Sequence, residues 1–310
     1  MEDFLKGSVD NHIHCCPHIN KRSTNIFDVV DQAEKSGMYA IGLMDNFSNS
    51  SGYASLIKKY QPNLKLKVFG GLIMEPPAGG VNYENVKIAL NYGYENDEGA
   101  LFISFPTHHT KFVAKQENRS KSYIDNCFYV AENKIQDDET LKILDLIAEK
   151  NIVLNTGHIS GLENYNLINY AKKAGIKKIL IPANNLYENE IINLKNLDVM
   201  FEFSYFFISK ATQIPLTHVD GEKHTINKLE INKLKEFIKI VSCEKVILSS
   251  DCGVSVLPKP HFGFLNFISL VKDLGFSTND IKKMISTNSK TLFKLDIFFS
   301  KPLRVSFLIK

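Results

Sequence analysis

The chain has no block of charge of one sign. Its 37 Lys and Arg stand against 34 Asp and Glu, a net of +3 over 310 residues, which gives no footprint for a nucleic-acid partner. It has no Cys-x-x-Cys pair, and its five cysteines are an odd number, pointing to reduced thiols in a cytosol rather than a disulfide framework. No run approaches the roughly 20 apolar residues of a membrane span; even Phe201 to Ile208 is broken by Glu202 and Ser204. The opening MEDFLKGSVD is charged and lacks the apolar core of a secretory signal. A Gly-x-Gly-x-x-Gly turn is missing too: Gly70-Gly71 and Gly79-Gly80 do not supply one between a strand and a helix, which counts against an open dinucleotide-binding sheet. The expectation left is a cytoplasmic protein acting on a small molecule, without nucleic acid or membrane, with a homo-oligomer open.

What is present is a regular alternation. Short apolar runs read as strands at Val9 to His14, Met38 to Met44, Leu66 to Ile73, Ala100 to Phe105, Ile152 to Thr156, Lys178 to Ile181, Asp198 to Phe203 and Lys245 to Ser250. Helical spacing fills the gaps. Ile26, Val29, Val30 and Ala33 make the first apolar stripe, with Ser23 or Thr24 as its cap, and a later helix covers Ile226 to Val241. Strand–helix alternation implies a parallel sheet, and eight such units in about 250 residues predict a closed (β/α)8 TIM barrel. The expected layout is a single domain over 1–297 with a long insertion after strand four, at about 107–137, where a polar stretch breaks the pattern. Asp138 is expected to cap the helix that follows. Residues 298–310 form a tail without an assigned role.

The barrel reading assigns positions to the polar groups. In VDNHIHCCPH, Asp10, His12 and His14 alternate, so an extended strand puts them on one face. Two imidazoles and a carboxylate there are either polar surface or the ligand set of zinc, manganese or iron. Cys15 and Cys16 point opposite ways and are not expected to ligate. A barrel concentrates its chemistry at the carboxyl ends of its strands. His14 ends strand one, His158 follows strand five in NTGH, and Asp251 follows strand eight in ILSSD, so His12, His14, His158 and Asp251 converge on one mouth.

That pattern resembles the amidohydrolase superfamily of metal-dependent barrel hydrolases, and in detail an uncharacterised family of predicted metal hydrolases. DNHIH, Arg22, FGGLIM, GGVNYENVKIAL, SFPT, NTGHIS, SSDCG and MISTNSKTLFKLD carry the likeness over most of the chain. The resemblance implies that His12, His14 and His158 hold the metal, and that Asp251 both approaches it and takes a proton from its water. Asp10 is expected to orient a ligand histidine through its other ring N–H. The departures are Met44, Asp45 and Asn46 where the family carries Lys and His, Ala183 and Asn184 where a histidine is common, and no Lys for carboxylation after strand four. They favour one ion, zinc first and manganese or iron next, over a binuclear site.

Glu75, His108 and His109 stand either as replacement ligands, as substrate contacts or as solvated loop residues. Arg22 is either an anchor for a substrate carboxylate or phosphate or half of a surface ion pair, and Asn46 is a substrate-binding candidate. Lys111, Lys115, Arg119 and Lys121 read as a solvated loop or as positive potential at the mouth; Tyr205, Phe206 and Phe207 read as core or pocket lining. The function these readings predict is hydrolysis of a small amide, cyclic amide or ester by metal-activated water. A metal-dependent phosphoesterase and a degenerate barrel that binds a metabolite without turnover are the alternatives.

Overall fold

A computed structural model describes residues 4–94, 98–131 and 138–298; most of the expected tail and residues 132–137 of the insertion lie outside them. Eight parallel strands follow one another in chain order, β1 (Val9–Ile13), β2 (Ala40–Leu43), β3 (Lys67–Ile73), β4 (Phe102–Ser104), β5 (Val153–Asn155), β6 (Ile179–Pro182), β7 (Met200–Ser204) and β8 (Val246–Ser249). Each expected strand is found, most of them trimmed at their ends, while β6 and β7 start later and run one residue further, to Pro182 and Ser204. The helices are α1 (Ile26–Lys35), α2 (Ser51–Tyr60), α3 (Tyr83–Ala89), α4 (Lys111–Gln116), α5 (Lys121–Asn126), α6 (Asp138–Lys150), α7 (Gly161–Lys173), α8 (Glu188–Leu194), α9 (Tyr205–Ile208), α10 (Ile231–Val241), α11 (Pro260–Asp273), α12 (Thr278–Lys282), α13 (Asn288–Phe293) and α14 (Leu295–Phe298). No helix among the described residues is long and apolar enough to cross a membrane.

The strands are buried along their whole length because helices cover one face and the barrel interior takes the other. Val9, Phe69, Leu101, Phe102, Val153, Leu180 and Ile247 pack inside, with Leu292 and Phe293 of α13 and Leu295 of α14 against them. Each such side chain contributes about 1.5–3 kcal/mol by leaving water. Asn288 at the start of α13 donates to the carbonyls of Cys243 (2.8 Å) and Val246 (2.7 Å), so the closing segment is pinned beneath β8.

The barrel closes between β8 and β1 just past the strand ends. Asp251 N–H donates to the His12 carbonyl (2.9 Å) and His14 N–H to the Cys252 carbonyl (2.8 Å). Gly253 follows at φ +137°, and a Cβ there would fall 1.8 Å from the His14 carbonyl oxygen; only glycine lets the β8 loop approach this closely.

Four local readings change. Asn25, not Ser23 or Thr24, caps α1, its side chain accepting from Asp28 N–H (2.9 Å); Ser23 N–H is instead bonded to the Gly253 carbonyl (2.7 Å) at the closure. α10 starts at Ile231, because Ile226 and Leu229 bond to Thr212 and Phe207 and run extended along them. Asp138 is the first residue of α6 rather than its cap. The insertion carries α4 and α5, and of Lys111, Lys115, Arg119 and Lys121 it is Arg119 that is ion-paired among the described residues: it donates to Asp220 (2.9 Å) and lies 3.5 Å from the centre of the Tyr123 ring. Lys111 sits over Tyr129, and Lys115 and Lys121 are exposed. The insertion is thereby tied to the loop between β7 and α10.

Candidate metal centre

The hydrogen bonds that close the barrel run through the candidate ligands themselves. With His12 and Asp251 sharing one bond and His14 the next, their side chains are forced to the same point of the mouth. His12 Nε2 and His14 Nε2 lie 3.3 Å apart, His14 Nε2 and Asp251 Oδ1 3.3 Å, and His12 Nε2 and Asp251 Oδ1 3.5 Å. Among the described residues this is the group of His, Cys, Asp or Glu side chains able to converge on an ion. Asp251 adopts φ +48°, a left-handed conformation that aspartate tolerates at modest cost.

A residue that sequence reasoning passed over completes the arrangement. Glu202 on β7 is 1% exposed and places Oε1 3.3 Å from His12 Nδ1 and 2.9 Å from Asn11 Nδ2, which donates to it. A carboxylate partner keeps the proton of a neutral His12 on Nδ1, leaving a lone pair on Nε2. The signal was present in the sequence: Glu202 interrupts the apolar run of β7, where a lone acid inside a buried strand needs a partner.

The electrostatics are those of a cation site. Burial alone would lower His12, but the Asp251 and Glu202 carboxylates outweigh it and raise it to about 9. Burial lowers His14, against the pull of Asp251. Burial opposes ionisation of Asp251 too, yet His12, His14 and His158 hold it below the usual carboxylate range. The three donor atoms fit a divalent ion: separations of 3.3–3.5 Å are the edges of a tetrahedron whose bonds are about 2.0–2.2 Å.

The other expected residues fall in different places. His158 is buried at the same mouth, its ring 5.6 Å from that of Phe207, and burial lowers it to about 4; it acts electrostatically on Asp251 but is not one of the three converging groups. Asp10 contacts no imidazole ring. Its Oδ1 accepts from Ser250 N–H (2.9 Å) and His12 N–H (3.4 Å), so it braces the closure, and burial raises it to about 7. Glu202, not Asp10, is the carboxylate that meets the His12 ring. Asn46 is buried with Oδ1 unpartnered, and Phe206 and Phe207 are buried core that also touches His218 and His158. His109 packs edge-on to Tyr123 and lines a separate cavity of about 460 Å³ with Met74, Pro106 and Phe128.

Glu75 is spoken for. Its Oε1 accepts from Thr107 N–H (2.6 Å), Thr107 Oγ1 (3.0 Å) and His108 N–H (2.6 Å), and Oε2 from His109 N–H (3.2 Å). A carboxylate so engaged anchors the start of the insertion rather than standing free as a ligand. Glu75→Ala is expected to cost about 3–5 kcal/mol by orphaning these buried amides. That should lower the thermal midpoint by roughly 5 °C or more in a chain of this size; a midpoint within a degree of the parent's would show the anchor to be dispensable.

A family model covers residues 7–202 of the chain. The chain belongs to DUF6282, a family of unknown function. No curated protein matches it in sequence. Among solved structures, this DUF6282 protein is similar to a putative 2-pyrone-4,6-dicarboxylic acid hydrolase from Pseudomonas putida (11% identity, 95% of this chain and 99% of that one, TM-score 0.56). It is similar to a phosphotriesterase homology protein from Escherichia coli complexed with phosphate in its active site (12%, 93% and 99%, TM-score 0.56). A 2,6-dihydroxybenzoate decarboxylase from Rhizobium is also similar (10%, 94% and 99%, TM-score 0.54). At such identities these likenesses show the fold alone, the (β/α)8 barrel.

Proposed function

We propose that this protein is a metal-dependent hydrolase that holds one divalent ion, zinc or else manganese or iron, and cleaves a small amide, cyclic amide or ester. The observation that carries the reading is the convergence of His12 Nε2, His14 Nε2 and Asp251 Oδ1 within 3.5 Å of one another, with the first of these lone pairs set by Glu202. His12, His14 and Asp251 would hold the ion, with His158 beside them. When bound, a divalent ion lowers the pKa of water from 15.7 to roughly 7 and polarises a carbonyl oxygen. Asp251 takes the proton that the attacking water gives up and passes it to the leaving group; it is ionised at neutral pH and has its second oxygen turned toward Ser204 Oγ (3.4 Å). Glu202 keeps the His12 ring in register through Nδ1. Support comes also from the hydrolase among the similar barrels.

The test is a panel of lactones, esters, cyclic amides and phosphoesters assayed on chelator-treated protein and again after zinc, manganese or iron is restored. Turnover of a carbonyl substrate that disappears on chelation and returns with the ion is the expected result. Turnover of phosphoesters alone would replace this reading with a phosphoesterase. Metal-loaded protein inert across the panel would leave a barrel that binds its metabolite without catalysis.

A further inference from the structure

Beside the three converging donors, the mouth carries a guanidinium that forms no ion pair among the described residues; the Asp251 and Asp45 carboxylates act on it only through the wider field. Arg22 is held between two loops: its backbone bridges Val254, the next residue's N–H bonds the Gly253 carbonyl (2.7 Å), and Cys16 N–H bonds the Thr24 carbonyl (3.0 Å). The guanidinium Nε is buried without a partner. None of the ion pairs among the described residues includes Arg22. Its nearest polar neighbour is the His18 ring, whose Nε2 meets Arg22 Nη2.

That neighbour is short of lone pairs. His18 Nδ1 faces the Asn20 backbone N–H (2.9 Å) and its Nε2 faces the Arg22 guanidinium, and both of those groups can only donate. Burial, then Arg22 and His14, hold the ring neutral by lowering it to about 3. A neutral ring has one lone pair, so it accepts from the Asn20 N–H or from the Arg22 guanidinium but not from both, and one of these donors is left without its acceptor.

Two further imidazoles border the same space. His108 and His218 stack with ring centres 4.3 Å apart, and His108 Nδ1 is buried without a partner. Burial lowers both rings, and Arg22 and His14 each lower them further, which places these rings within electrostatic reach of the cation and of the candidate metal ligand alike. Asn20 fixes the assembly, its Nδ2 donating to the Thr217 carbonyl (3.2 Å) and its Oδ1 accepting from Thr217 Oγ1 (2.9 Å). Four side chains from three different loops thus gather around two unpartnered nitrogens, Arg22 Nε and His108 Nδ1, and no ion pair among the described residues involves them.

We infer that Arg22, His18, His108 and His218 form an oxyanion-recognition subsite, so that the substrate carries a carboxylate or phosphate group that docks here while its reacting bond lies over His12, His14 and Asp251. A guanidinium fork and neutral imidazole N–H groups suit a planar or tetrahedral oxyanion, and an anion would supply the acceptor that the convergent donors lack. The placement beside the reacting centre rests on the hydrolase reading; the anion site itself does not.

The experiment is calorimetric titration of the full-length, metal-loaded protein with inorganic phosphate and, separately, with succinate. It is repeated on Arg22→Met, Arg22→Lys and His218→Ala, with metal content and circular dichroism recorded for each. We expect the parent to bind at least one of the two anions. Arg22→Met should weaken it tenfold or more at unchanged metal content, with partial recovery in Arg22→Lys and a severalfold loss in His218→Ala. Preference for succinate or for phosphate identifies which oxyanion the substrate bears. Absence of binding of either anion to the parent, or equal affinity in Arg22→Met, would overturn the inference. Titrating the His12→Ala/His14→Ala protein separates the two readings: Arg22-dependent anion binding that survives loss of the metal keeps the subsite even if hydrolysis fails. Anion binding that vanishes with the metal and ignores Arg22 removes the subsite and leaves the hydrolase.

Discussion

Replacing His12 and His14 together by alanine is expected to take the divalent metal content from about one ion per chain to roughly a tenth of that or less, because a single carboxylate cannot retain the ion. The measurement is elemental analysis of protein purified without chelator or affinity-tag metal, with circular dichroism to confirm folding. The physical ground is geometric. Two of the three converging atoms are lost, and Glu202 loses the imidazole at 3.3 Å that balances its charge inside the barrel. A second readout follows by mass action, since an ion that binds only the folded protein raises the thermal midpoint; added metal should stabilise the parent and not the double variant. Equal metal content in the two proteins, or a parent that takes up none of zinc, manganese or iron, would sink the metal-centre reading.

Asp251→Asn should lower turnover by about 10²–10⁴-fold, the range contributed by a positioned general base, once a carbonyl substrate is in hand. The amide keeps an oxygen toward the two imidazoles but cannot accept the proton of the attacking water. Metal affinity should fall as well, because the charge facing His12 and His14 at 3.3–3.5 Å disappears. Assays must therefore be run at saturating ion, where a residual loss reports proton transfer alone. A variant within tenfold of the parent under those conditions would assign the proton to a different group.

The strands were legible because each is a short apolar run bounded by turn chemistry, and burial on both faces writes that composition into the sequence. Val9, Phe102, Val153 and Ile247 are in the barrel interior for that reason. The pairing of His12 with His14 was legible from alternation along a strand, and their meeting with Asp251 from the rule that strand ends share one mouth. Helix ends were less so. Asn25 took the cap of α1 from Ser23 because Ser23 is bonded to the Gly253 carbonyl, a contact between residues more than two hundred positions apart.

What the sequence by itself determined is the alternating βα pattern and which residue types stand at the carboxyl ends of β1, β5 and β8. Local periodicity and strand alternation act over a few residues, so they can be read without knowing the rest of the chain. What only the tertiary structure decided is which polar groups face one another. Glu202 rather than Asp10 meets the His12 ring, Glu75 is consumed by the amides of Thr107, His108 and His109, and Arg22 stands beside His18 outside any ion pair among the described residues. Those pairings are set by the curvature of the closed barrel and by the three loops that fold over its mouth. Side chains as far apart in sequence as His12 and Glu202 meet there, and no spacing along the chain encodes their distance.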